Sequence, residues 1–254
     1  MALTLYHGEP NGPSLTVLAT LFEKGAEAEL RRIDLAAGAR HDLPFAHDTE
    51  VAMNIEGEGP VLVADGVPMT DAFFVALYLE EAFPANPLRP AGAFGHWRLL
   101  TWCRWINERM SPAAAYLGTR AYLAPKFAAA APDVSKIASA DLAGRWKAVA
   151  ANDFTEDKIA DSHAKIAQAV SKIEDALDGR QWLLGDFSIA DIDTYAWLAS
   201  MELLSPAAFQ DAPRTRAWLA RVKARPSLQR ALALATSDEP AQSWAPGPEI
   251  NRWG

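Results

Sequence analysis

A chain of 254 residues that is 50% apolar and 22% charged reads as a folded protein with room for two small domains, far from the disordered class. Its formal net charge of −8 argues against a phosphate-binding surface, which needs an excess of Lys and Arg, so nucleic acid is not an expected partner. No run reaches about 18 uninterrupted apolar residues and no basic flank precedes an apolar core at the N-terminus, so neither membrane spanning nor export is expected.

Leu3-Thr-Leu-Tyr6 has the character of a short strand, and Ser14 to Lys24 then places Leu15, Leu18, Ala19 and Phe22 on one helical face before Gly25 stops it. Ala28 to Leu35 reads as a second strand. Pro60-Val-Leu-Val-Ala64 followed by Asp65-Gly66 is a strand entering a hairpin turn, and Val67-Pro68-Met69 is its short return, put at an edge by Pro68. Thr70 or Asp71 can cap the helix that follows, in which Ala76, Leu79 and Phe83 form the apolar stripe up to Pro84. The order β-α-β-α-β-β-α over residues 1–83 is that of a compact α/β module.

Pro84-Ala-Asn-Pro87-Leu-Arg-Pro90 stops any helix and marks a linker at 84–90. Residues 91–235 then read as helical throughout. Cys103 sits in Trp102-Cys-Arg-Trp105 at helical spacing and is expected in the core, and a lone cysteine suits a reducing cytoplasm. Ile159, Ile166, Val170, Ile173 and Leu177 keep one helical face apolar, and Gly179 ends that helix. In Phe187-Ser188-Ile-Ala-Asp191-Ile192, Ser188 and Asp191 can exchange a capping box while Phe187 and Ile192 staple the entry. The tail, 236–254, carries Trp244, Trp253 and several prolines, and is either loose or laid across the body. His7, His41, His47, His96 and His163 show no ligand spacing, so no metal is expected.

Three segments carry a family resemblance. Asn54-Ile-Glu-Gly57-Glu-Gly59-Pro60-Val-Leu62 resembles the glutathione S-transferase pattern Asn-Pro-x-Gly-x-Val-Pro-x-Leu. Ser188-Ile-Ala-Asp191, preceded by Trp182-Leu-Leu-Gly-Asp, is similar to a helix start in the helical domain of that family, and Arg225-Pro-Ser-Leu-Gln-Arg230 to its last helices. Leu3 to Gly25, Tyr78 to Pro84 and Arg145 to Leu177 further resemble the bacterial glutathione-dependent β-aryl etherases. The resemblance implies an N-terminal thioredoxin-like domain that holds glutathione and an all-helical substrate domain. It also implies an apolar aromatic partner such as a lignin-derived β-aryl ether, and a homodimer or a heterodimer with a related subunit. Pro60 would be cis, with the backbone just before it paired to the cysteinyl part of glutathione.

A transferase of this kind must favour thiolate over thiol, and a donor at a helix N-terminus does so. Ser14 stands at that place in serine-type members, although its hydroxyl could equally be the N-cap of the first helix. Tyr6, near the end of the first strand, and Asn11, through its amide, are the other donors. For the glutathione backbone and carboxylate the resemblance assigns Gly59, Pro60, Asp71 and Ala72, and here two departures stand out. Asp71-Ala72 replaces Glu or Gln followed by Ser, losing a hydroxyl for the γ-glutamyl carboxylate, and Gly59 replaces the usual Val, loosening the backbone. Such losses also fit a subunit that positions a catalytic partner. Trp102, Trp105, Tyr116, Tyr122, Trp146 and Trp244 are available to line a pocket between the halves.

Overall fold

The computed structural model describes residues 1–52, 55–129 and 133–248. A four-stranded sheet of order β2-β1-β3-β4 occupies the N-terminal part, built from β1 (Leu3–His7), β2 (Glu29–Arg32), β3 (Val61–Ala64) and β4 (Val67–Met69). β1 pairs in parallel with β2, which requires a crossover, and helix α1 (Gly12–Glu23) supplies it. β3 runs antiparallel to β1, and Pro68 lies in the edge strand β4, where its missing N–H costs no central ladder bond. The second helix of the expected order is a single turn, α2 (Thr49–Ala52), preceded by two 3-10 turns. Helix α3 (Ala72–Ala82) completes the module, with Asp71 at its N-cap.

The proline-rich connection is pinned rather than loose. Buried Glu80 accepts from Lys24 Nζ at 2.6 Å and from the Leu88 N–H at 3.0 Å, while the Leu88 carbonyl receives the Ile189 N–H at 2.8 Å. Beyond it come α4 (Gly92–Trp105), α5 (Ser111–Gly118), α6 (Ala140–Ala150), α7 (Glu156–Ala176), α8 (Ile189–Leu198), α9 (Met201–Leu204), α10 (Pro213–Lys223) and α11 (Pro226–Leu232). A π-helical turn, Ile106–Met110, joins α4 to α5, and a second, Thr119–Leu123, extends α5. Among the described residues no strand follows Met69.

α1 is buried over most of its length because it faces the sheet module on one side and α8 and α11 on the other. The apolar face of α7 is buried as its spacing predicts, at Ile159, Ile166, Val170 and Ile173. Cys103 lies in the same core, and burial pushes its thiol well above the usual range. At the start of α8 the capping box is present: the Asp191 carboxylate accepts from the Ser188 N–H at 3.0 Å and the Ser188 hydroxyl at 3.2 Å. Asp191 also takes the Leu183 N–H and the Trp218 indole N–H, two donors from outside the box. Phe187, read as a staple, has its ring edge-on to Trp182 and beneath the Arg225 guanidinium.

Where the halves meet, buried Asp193 of α8 accepts from Thr16 of α1 at 3.4 Å and from Asn107 at 2.8 Å. Residues 236–248 lie across the junction, so of the two expected courses for the tail the structure takes the second. Trp253 falls outside the described residues.

Candidate functional site

A cavity of about 280 Å³ opens between the β1–α1 loop and the helical half. Ser14, Asn11 and Glu58 line it from the module, Tyr122 and Trp197 from the helices, and Trp244 from the tail. α1 begins two residues earlier than its apolar pattern suggests, at Gly12, so the N-cap position falls to Asn11 and Ser14 is the third residue of the first turn. The reading of Ser14 as the N-cap is thereby corrected. Its Oγ accepts the Gly8 N–H at 2.9 Å, which engages a lone pair and leaves the hydroxyl hydrogen to donate. Asn11 makes no side-chain cap bond, and its Nδ2 donates to the Ser243 carbonyl at 3.4 Å. Tyr6 is not brought to the cavity: its hydroxyl accepts from Arg31 at 2.8 Å and its ring meets Phe45 edge-on.

The segment leading into β3 departs from expectation at three points. The Gly59–Pro60 peptide is trans, not cis. The polar groups before Pro60 are satisfied within the chain, the Gly59 N–H by the Gly57 carbonyl at 3.0 Å and the Glu58 N–H by the Pro246 carbonyl at 2.9 Å. Second, the Ala72 N–H, expected to meet a γ-glutamyl carboxylate, donates to Glu56 Oε1 at 2.9 Å. Third, a Cβ on Gly59 would collide with the Glu56 carboxylate, so glycine here makes room for Glu56 rather than merely loosening the backbone. Asp71 caps α3 by accepting the Phe74 N–H at 3.4 Å and holds φ 69, a left-handed value that a non-glycine residue adopts only at a cost of about 1–3 kcal/mol. Burial, followed by the neighbouring Asp71, raises the Glu56 carboxyl well above its ordinary range, and burial raises Asp71 as well. Asn54, which opens the motif, lies outside the described residues.

Arg40, His41 and Glu58 further fix this segment. Buried Arg40 donates to the Gly57 carbonyl at 2.5 Å and the Val51 carbonyl at 3.1 Å, and desolvation lowers its pKa. Glu58 Oε1 meets His41 Nε2 and the Trp146 indole N–H, each at 2.6 Å. Sequence reasoning missed Arg40, His41, Glu56 and Glu58 as members of the site, and it missed Trp197. The one available signal was two glutamates inside a glycine-rich turn, Glu56-Gly-Glu58-Gly59.

Of the six aromatic residues read as pocket candidates, Tyr122 and Trp244 line the cavity beside Ser14. Tyr116 lines a recess beside Phe154, Trp146 is core, and Trp102 and Trp105 flank Lys172 on an outer groove. A second cavity of about 320 Å³ lies on the other side of Trp197, bounded by Glu56, Asp71, Phe74 and Leu100.

Residues 156–221 match the family described as glutathione S-transferase, C-terminal domain. Protein LigF of Sphingobium sp. (strain NBRC 103272 / SYK-6) is 28% identical over 246 residues, which cover 90% of this chain and 92% of that protein. Glutathione S-transferase 1 of Dianthus caryophyllus is 32% identical over 88 residues, 35% of this chain and 38% of that protein. Among solved structures, beta-etherase LigF from Sphingobium sp. strain SYK-6 superposes with a TM-score of 0.79 at 24% identity, covering 92% of this chain and 99% of that one. A glutathione transferase from Burkholderia graminis, with two glutathione molecules bound per subunit, superposes with a TM-score of 0.67 at 22% identity, covering 92% and 89%. The sheet order, the helical half and these superpositions describe one fold.

Proposed function

We propose, from the premise that this chain is a glutathione-transferase-fold protein bearing the C-terminal domain of that family, that it uses glutathione to cleave a β-aryl ether of lignin-derived compounds. The single observation that carries the reading is Ser14 at the wall of the interdomain cavity, with its oxygen engaged by Gly8 and its proton left to donate. When bound, glutathione would supply a thiolate that displaces a phenol from the ether carbon. Ser14 would hold that sulfur as an anion, with help from the α1 N-terminus worth roughly 0.3–1 kcal/mol. Trp197 and Tyr122 form an apolar wall suited to an aromatic ring. The etherase LigF, similar over nearly the whole chain, supports the substrate class.

The protein is proposed to act in the cytoplasm as a dimer, homomeric or with a related subunit. Ile55, Phe74 and Leu100 are exposed at the mouth of the second cavity, and Phe94 and Trp97, on the same helix as Leu100, stack in the open at 5.4 Å. The Glu56 carboxylate on the Ala72 N–H favours a second reading, in which this chain positions a catalytic partner subunit. Ser14→Ala separates the two. In an enzyme, phenol release from an aryl-ether substrate falls tenfold or more under conditions where the variant is still fully folded, the lost Gly8 bond costing about 1–3 kcal/mol of stability. In a positioning subunit, turnover of the complex stays within about twofold and glutathione binds the isolated chain only in the millimolar range.

A further inference from the structure

Residues 236–248 cross the cleft as a strap whose only regular turn is a 3-10 turn at Pro240–Gln242. One end is tied down by Glu9, which accepts the Thr236 N–H at 3.0 Å. In the middle, the Trp244 indole lies directly over Gly118, where a Cβ would collide with its ring, and is tilted beside Trp197 with centroids 5.9 Å apart. Its main chain is then read carbonyl by carbonyl. Asn11 Nδ2 donates to Ser243, Thr119 Oγ1 to Ala245 at 3.2 Å, the Glu58 N–H to Pro246 at 2.9 Å, and Arg145 to Gly247. These donors come from both halves of the molecule.

The approach is close enough to demand bare backbone on both sides. A Cβ on Gly57, which has φ 91, would meet the Pro246 and Gly247 carbonyls, and a Cβ on Gly247 would meet Ala115. A groove that recognises carbonyls through fixed donors is a site for an extended peptide. Here its occupant is the chain itself. With the strap in place the cavity beside Ser14 measures about 280 Å³, at the lower end of the roughly 300–1,000 Å³ of small-molecule pockets, and the strap residues Ser243, Trp244, Ala245 and Gly247 form part of its wall.

We infer that the strap is an autoinhibitory occupant of a main-chain-reading groove, and that a peptide ligand binds by displacing it. The inference rests on the proposed use of glutathione, which is the peptide in question. The strap lifts from the Glu58 amide and Trp244 leaves Gly118 before the second substrate can reach Ser14.

Gly118→Ala in the full-length chain tests this, because Gly118 has helical backbone that alanine suits while the added methyl expels the indole. Trp244→Ala removes the same contact from the other side and serves if the first variant folds poorly. Glutathione titration by calorimetry and hydrogen exchange at the Glu58 amide are measured together. Binding at least tenfold tighter than in the parent, with faster exchange at Glu58, is the expected result. Faster exchange with unchanged or weaker binding overturns the inference and leaves the glutathione reading standing. A Glu58 amide as protected as in the parent in both variants also overturns it, since the strap is then a fixed wall. Failure of parent and variants alike to bind glutathione, despite a released strap, sinks the glutathione reading and the competition with it.

Discussion

Glu56 places a carboxylate on the first amide of α3, where a bound γ-glutamyl carboxylate would seek a donor. It reaches that amide because Gly59 has no side chain, so two substitutions read separately in the sequence as losses belong to one arrangement. Glu56→Ala exposes the Ala72 N–H and clears the carboxyl group from the binding position. A hydrogen bond to a charged group is worth about 1.5–3 kcal/mol, so glutathione affinity should tighten about tenfold or more in calorimetry. An unchanged dissociation constant would show that no ligand carboxylate goes there. Ser14 was legible because its candidacy depends on a local feature, a hydroxyl at the start of the first helix. Glu56 was not, since its partner lies 16 residues away and only the fold brings them together.

The entry to α8 shows how far a local signature reaches. Ser188 and Asp191 are three residues apart, so their mutual bonds follow from helix geometry and could be read directly. Trp218 is 27 residues from Asp191 and Leu183 is eight, and neither bond has a local rule. Ser188→Ala should therefore cost an ordinary cap, about 0.5–2 kcal/mol. Asp191→Ala should cost more, because it also leaves two buried N–H groups without acceptors at about 1–3 kcal/mol each. Denaturant midpoints decide the matter, and equal losses for the two variants would mean that the outer bonds contribute nothing.

Asp193 joins the two halves of the molecule through Thr16 and is held by Asn107 within its own half, and burial pushes its carboxyl up to about 7. A raised carboxyl binds its proton in the folded state after the unfolded chain has lost it, so its contribution falls as pH rises from the unfolded value near 4 through about 7. The slope reaches at most about 1.4 kcal/mol per pH unit. Asp193→Asn removes the ionisation, so its stability relative to the parent should rise across that window and level off above it. Unfolding curves at several pH values measure the difference, and a flat difference from pH 4 to 8 would show Asp193 charged throughout.

The sequence by itself determined what depends on near neighbours. The strand before α1, the hairpin at Asp65-Gly66, the apolar face of α7 and the box at α8 each follow from spacing of a few residues, and their order separates an α/β half from a helical one, while the thioredoxin-like fold came from the family resemblance. Only the tertiary structure decided the state of the cleft: the trans peptide before Pro60, the carboxylate of Glu56 on α3, and the strap under Trp244. Each of those depends on which distant group satisfies a buried N–H or carbonyl. Main-chain donors and acceptors are the same at every residue, so nothing in a local pattern names the partner, and the choice is made when the halves and the tail pack together.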